Sequence, residues 1–83
     1  MNDNQILENS IRGVLIEALQ IDPELFTPEL TFGDLPQWDS LGHMEVMMRL
    51  EEHYGIEINT DTIASLTSVP KIKEYLEKRE NSE

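Results

Sequence analysis

Apolar residues recur at spacings of three and four through the first quarter of the chain. Leu7, Ile11, Val14, Leu15, Ala18 and Leu19 make one stripe of a helix predicted over 5–20. Asp22-Pro23-Glu24 ends it, because the residue before a proline is driven out of the α region. Residues 21–37 hold Pro23, Pro28, Pro36 and Gly33, so no regular element runs through them. Leu25, Phe26, Leu30, Phe32 and Leu35 lie in the same stretch and are expected to pack back onto a core. A second helix is predicted from Ser40 to Tyr54, with Gly55 as its left-handed terminator. Ile56 and Ile58 anchor the loop that follows, and Thr60 or Asp61 is expected to cap a short third helix through Leu66. Ser68 is the expected cap of a last helix that tolerates Pro70 in its first turn and turns Val69, Ile72, Tyr75 and Leu76 inward. Residues 80–83 are expected to fray. The pattern predicts an all-α fold, a small four-helix bundle of three main helices and one short one, with a long loop after the first. Residues 1–83 form a single domain with an ordered core of about 5–79.

The second helix carries apolar side chains on two sides. At ~100° per residue, Val46, Leu50 and Tyr54 fall together, with Met47 at their edge. Leu41, Met44 and Met48 fall roughly opposite, flanked by Glu45, Glu51 and Glu52. The branched and aromatic set is the better core candidate, which leaves Leu41, Met44 and Met48 as an exposed strip edged by carboxylates. Methionine is flexible and polarisable and suits a surface that meets partners of different shape. The alternative is that the bundle buries most of both strips.

Charge and composition narrow the functional classes. Seventeen Asp and Glu against six Lys and Arg give a formal net charge of -11, which opposes binding to nucleic acid or to an anionic membrane. Such a surface serves solubility, or it steers the chain toward basic patches on other proteins. The scarce cations Lys71, Lys73, Lys78 and Arg79 gather on the last helix. There is no cysteine, hence no disulfide and no thiol in the chain itself. MNDNQIL has neither the basic start nor the apolar run of a signal peptide, and no stretch approaches the ~20 apolar residues that cross a bilayer. A soluble, monomeric, cytoplasmic protein is expected.

Ser40 stands at the head of the second helix, just after Asp39, where free backbone N–H groups and the helix dipole favour an anion. Either residue serves as a plain helix cap. Ser40 is poorly equipped as an enzyme nucleophile, since no G-x-S-x-G elbow surrounds it and His43 has no evident orienting partner. It is well placed to bear a phosphate, which the dipole would stabilise by ~0.3–1 kcal/mol. His43 and His53, ten residues apart and without a third ligand in register, make a poor metal site and are expected to be surface or boundary residues. No EF-hand loop is present.

Asp39-Ser40-Leu41, followed by Glu45, Leu50, Glu51-Glu52, Tyr54, Ile56-x-Ile58 and Thr67-x-Val69, resembles the acyl carrier proteins over nearly the whole chain. The resemblance implies a four-helix carrier, not an enzyme, whose Ser40 bears 4′-phosphopantetheine derived from coenzyme A and holds acyl or aminoacyl groups as thioesters. It implies that Asp39 is read by the phosphopantetheinyl transferase that installs the arm. It also implies that Leu41, Met44, Glu45, Met48, Glu51 and Glu52 form the face for loading enzymes and synthases with basic docking patches. Gly42, His43 and Arg49 depart from the fatty-acid carriers, Trp38 replaces a small residue, and the Leu35-Pro36-Gln37-Trp38 loop is one residue longer. Trp-Asp-Ser-Leu looks more like discrete carriers of polyketide, nonribosomal peptide and D-alanine transfer systems. Trp38 is expected to wedge its loop onto the core, the other reading being contact with the arm or a partner. Two rival readings are a small acidic adaptor that uses Ser40 only as a cap, and a minimal hydrolase built on Ser40 and His43.

Overall fold

The computed structural model describes residues 3–81. Four helices follow one another: α1 (Asp3–Leu19), α2 (Ser40–Tyr54), α3 (Thr60–Ser65) and α4 (Val69–Asn81). α1 packs against both α2 and α4, and the short α3 packs against α2. The expected fraying at 82–83 lies outside the described residues, and α4 continues to Asn81.

The core forms where the stripes of these helices meet. Ile11, Val14 and Leu15 of α1 face Val46, Met47 and Leu50 of α2, and Val69, Ile72 and Leu76 of α4 close the other side. Trp38, from the loop before α2, is the largest side chain in this core and has no exposed surface. It wedges its loop inward, as expected.

Each helix ends for a local reason. α1 stops at Gln20, whose φ of 54° is left-handed, and the Ile21 N–H donates back to the Ile16 carbonyl at 3.3 Å. That is a Schellman closure made by glutamine where glycine is the usual residue. Gly55, at φ 69°, ends α2 with its N–H on the Glu51 carbonyl at 2.8 Å. α3 is capped by Asn59, not by Thr60 or Asp61. Its side chain accepts from the Thr62 N–H at 2.9 Å while Thr62 Oγ1 accepts from the Asn59 N–H at 3.0 Å. This reciprocal box needs a hydroxyl at the third helical position, which selects Asn59 over its neighbours. Ser68 begins α4 as expected, with Oγ accepting from the Lys71 N–H at 3.3 Å.

The long connection between α1 and α2 is held mostly by backbone. A single turn of 3-10 helix at Pro23–Leu25 opens it. The Phe32 N–H donates to the Thr67 carbonyl and the Val69 N–H to the Leu30 carbonyl, both at 2.8 Å, forming an isolated antiparallel bridge at Thr31 and Ser68. Gly33 donates to the Trp38 carbonyl at 3.1 Å, which closes the turn leading to α2. The expectation that five apolar residues of this stretch pack inward is corrected in part. Leu30 is buried and Phe26 and Leu35 are half-buried, but Leu25 and Phe32 are 39% and 40% exposed. Main-chain bonds fix the loop, so those side chains need not.

Three of the six Lys and Arg residues act as ties within the bundle. Lys73 on α4 meets Glu8 on α1 at 3.4 Å, and Arg79 donates to the Tyr54 carbonyl at 2.9 Å, where the negative end of α2 favours a cation. Arg49 pairs with Glu17 across the α1–α2 contact at 3.1 Å.

Candidate functional site: the turn that starts the second helix

Asp39 and Ser40 divide the head of α2 between them. Asp39 has extended backbone, and its Oδ1 accepts from the Gly42 N–H at 2.8 Å while its carbonyl accepts from the His43 N–H at 2.7 Å. Asp39 is therefore the cap. Ser40, the first helical residue, is exposed, and its hydroxyl has no hydrogen bond to any described residue. The N–H groups of Ser40 and Leu41 precede the first intrahelical bond and remain open to solvent or to an anion.

Gly42 lets the approaching loop lie close to the helix. A Cβ built there would sit 2.1 Å from the Gln37 carbonyl oxygen and 3.0 Å from a methyl of Leu19. The 35–38 loop and the glycine after Ser-Leu thus belong together, because the loop crosses the helix at a point that has no side chain. Beside this crossing runs an open groove of ≈ 420 Å³ between the end of α1 and the start of α2, lined in part by Gln20, Gln37, Asp39 and Glu45.

The two sides of α2 are separated as expected, with corrections in detail. Leu41 is 80% exposed and Met48 43%, Met44 is half-buried, and Glu45, Glu51 and Glu52 are exposed around them. The inner face is His43, Val46, Met47 and Leu50. Met47 is fully buried instead of lying at an edge, and Tyr54 is half-buried at the rim, where its hydroxyl meets Ser10 Oγ.

His43 is the largest correction. It was expected at the surface or boundary, yet it is only 4% exposed. Its Nδ1 accepts from Trp38 Nε1 at 3.0 Å and its Nε2 meets the Ile63 carbonyl at 2.8 Å. An acceptor at Nδ1 and a carbonyl at Nε2 require the neutral tautomer with its proton on Nε2. The ring of Phe32 stands edge-on to it, centroids 5.7 Å apart at 84°. The spacing 43, 46, 47, 50 is that of an ordinary buried stripe, so counting His43 as an inner residue was the available signal. Ser40 and His43 are not brought together as nucleophile and base: one is outside, and the other is inside with both ring nitrogens engaged. His53 is exposed. Among the described residues no three His, Asp or Glu side chains gather as metal ligands, and no helix is long and apolar enough to cross a membrane.

With this geometry established, comparison with known proteins places the chain. The family model described as the phosphopantetheine attachment site matches residues 9–76. The acyl carrier protein of Thermosynechococcus vestitus is 33% identical over 76 residues, covering 92% of this chain and 93% of that protein. The acyl carrier proteins of Chlamydia trachomatis serovars D and A are each 29% identical over 75 residues, covering 90% of this chain and 97% of theirs. The chain belongs to the phosphopantetheine attachment family, that of the acyl carrier proteins. It is a carrier that tethers acyl intermediates on a covalently attached 4′-phosphopantetheine. Proteins of this family are carriers and not catalysts, and they work with a phosphopantetheinyl transferase and with synthases. An adaptor that uses its serine only as a cap is not favoured.

Proposed function

We propose that Ser40 is the attachment point of the 4′-phosphopantetheine, that Asp39 is read by the transferase that installs it, and that the chain performs no chemistry of its own. The observation that carries this reading is the division of roles at the helix head. Asp39 supplies the cap, so the Ser40 hydroxyl is exposed and takes part in no bond that the fold needs. The residues fit the group. An exposed hydroxyl can be esterified, and the adjacent free N–H groups and positive helix end suit the phosphodiester that results. The arm supplies a thiol that the cysteine-free chain lacks, and on it an acyl group is held activated as a thioester.

The chain's own residues do three things in this scheme. Asp39 holds the first turn of α2 so that Ser40 points outward. Gly42 admits the preceding loop, which sets where that turn lies. Leu41, Met44 and Met48 offer apolar contact within a ring of Glu45, Glu51 and Glu52, which attract basic patches on loading enzymes and synthases from a distance while leaving affinity modest. The Trp-Asp-Ser-Leu head favours a specialised pathway over bulk fatty-acid synthesis.

Intact-mass measurement tests the attachment point. Wild-type protein incubated with coenzyme A and a phosphopantetheinyl transferase should gain the mass of one arm, and Ser40→Ala should gain nothing. An arm on the Ser40→Ala protein would show that another residue carries it.

A further inference from the structure

With so few cations among so many acids, the carboxylate that each cation takes decides which acids stay free. Arg49 is the one cation on α2, and it borders the outer face. It stands four residues after Glu45 and three before Glu52. Those are the spacings at which side chains on one helix meet, and an acid four residues ahead of a cation is the favoured order. Left to its own helix, Arg49 would cover one of these two carboxylates. It covers neither. Its guanidinium reaches across to α1 instead, with Nη1 3.1 Å from Glu17 Oε1. Glu45 and Glu52 are exposed, and no described residue forms an ion pair with either. Both members of the Glu17–Arg49 pair line the groove that runs beside Asp39. With side chains 35% and 58% exposed, the pair adds little to stability. Its consequence is electrostatic: a positive charge held over α1 is withheld from the outer face of α2.

We propose that Glu17 is a positioning residue for the docking face, holding Arg49 against α1 so that Glu45 and Glu52 stay open to a basic patch on a partner enzyme. This role rests on the docking function given to that face above. Without Glu17, the guanidinium has Glu45 and Glu52 within reach on its own helix. A basic partner would then meet acids already neutralised and a repelling cation at the rim. The transferase is among the partners concerned. To reach Ser40 it must cover the head of α2, and Glu45 lies five residues on, about 7.5 Å along the axis.

The test follows arm installation from coenzyme A by a phosphopantetheinyl transferase at low ionic strength, with kcat and the KM for the carrier separated. Full-length wild type is compared with Glu17→Gln, Arg49→Gln, the double variant and Glu45→Lys. Glu17→Gln should raise KM about two- to fivefold, the range an exposed ion pair commands, and leave kcat unchanged. The rise should fade in about 1 M salt, where charges are screened beyond about 3 Å. Arg49→Gln and the double variant should show the wild-type KM or a lower one, because no cation is left to misplace. An unchanged KM in Glu17→Gln overturns the proposal. So does a rise that persists in the double variant, which would mean that the transferase reads the Glu17 carboxylate directly. A fall in kcat alone would mark a structural defect and overturn it as well. Glu45→Lys tells the two readings apart. If it raises KM and Glu17→Gln does not, the docking face stands and only the role of Glu17 falls. If Glu45→Lys also leaves KM unchanged, the transferase does not read the acidic face, and the positioning role falls with it.

Discussion

The two faces of α2 share a backbone and almost nothing else. The inner face of His43, Val46, Met47 and Leu50 is shut away, and even its one polar member has both ring nitrogens satisfied. The outer face keeps Leu41 and Met48 in contact with water among three glutamates, although burying either would favour folding. One face is shaped by the requirements of a closed core. The other leaves apolar surface unburied, as the proposed docking role requires, and the electrostatic cost of the acidic ring is borne by the whole chain. Chemically similar residues therefore have opposite consequences a half-turn apart.

Substitutions can break this contrast, and the inner face, with the Trp38 side chain packed in the same core, should give the largest effects. Trp38→Ala removes the largest buried side chain and should lower unfolding free energy by about 3–5 kcal/mol, with Leu50→Ala close behind at about 2–5 kcal/mol. Urea denaturation measures both, and losses under 1 kcal/mol would mean that the inner face is not the core described. Gly42→Ala comes next. Alanine is the better helix former by about 0.5–1 kcal/mol. The clash with the Gln37 carbonyl should nevertheless leave a net loss of about 1–3 kcal/mol, and a stabilised variant would refute the close crossing. Asp39→Ala removes the cap and should cost about 1 kcal/mol in the same assay, whereas Ser40→Ala should be silent. If the two are reversed, the roles assigned at the helix head are wrong. Smallest of all, Leu41→Ala and the reversals Glu45→Lys, Glu51→Lys and Glu52→Lys should move stability by no more than about 0.5 kcal/mol. Each should still slow acyl transfer by partner enzymes, and unchanged transfer in all four would remove the outer face from the docking role.

The limits of α2 were legible because the signals are local. A carboxylate ahead of the first turn and a glycine after the last are read without knowledge of the rest of the fold. The helical period set Leu41 and Met48 apart from the inner set, but whether they stayed exposed was settled only by the fold. The same period put His43 on the inner face, but its bonds were not legible, since its partners lie five residues before it and twenty after it and only the tertiary fold brings them to one point. The role of Gly42 was hidden for a similar reason: the atom that forbids a side chain is a loop carbonyl. In Asn59-Thr60-Asp61-Thr62 every residue is a competent cap, so the choice among them fell to the reciprocal bond from Thr62. Leu25 and Phe32 read as core because they are apolar, but the bridge at Thr31 and Ser68 had already anchored that strand of loop.

The silent oxygen at position 40 has a consequence for the protein's working life. Asp39 makes the capping bond at the helix head and this hydroxyl makes none, so masking or removing it breaks no contact within the fold. Under the proposed attachment, a copy bearing the arm keeps every internal contact of a blank one, and the same polypeptide can be used again.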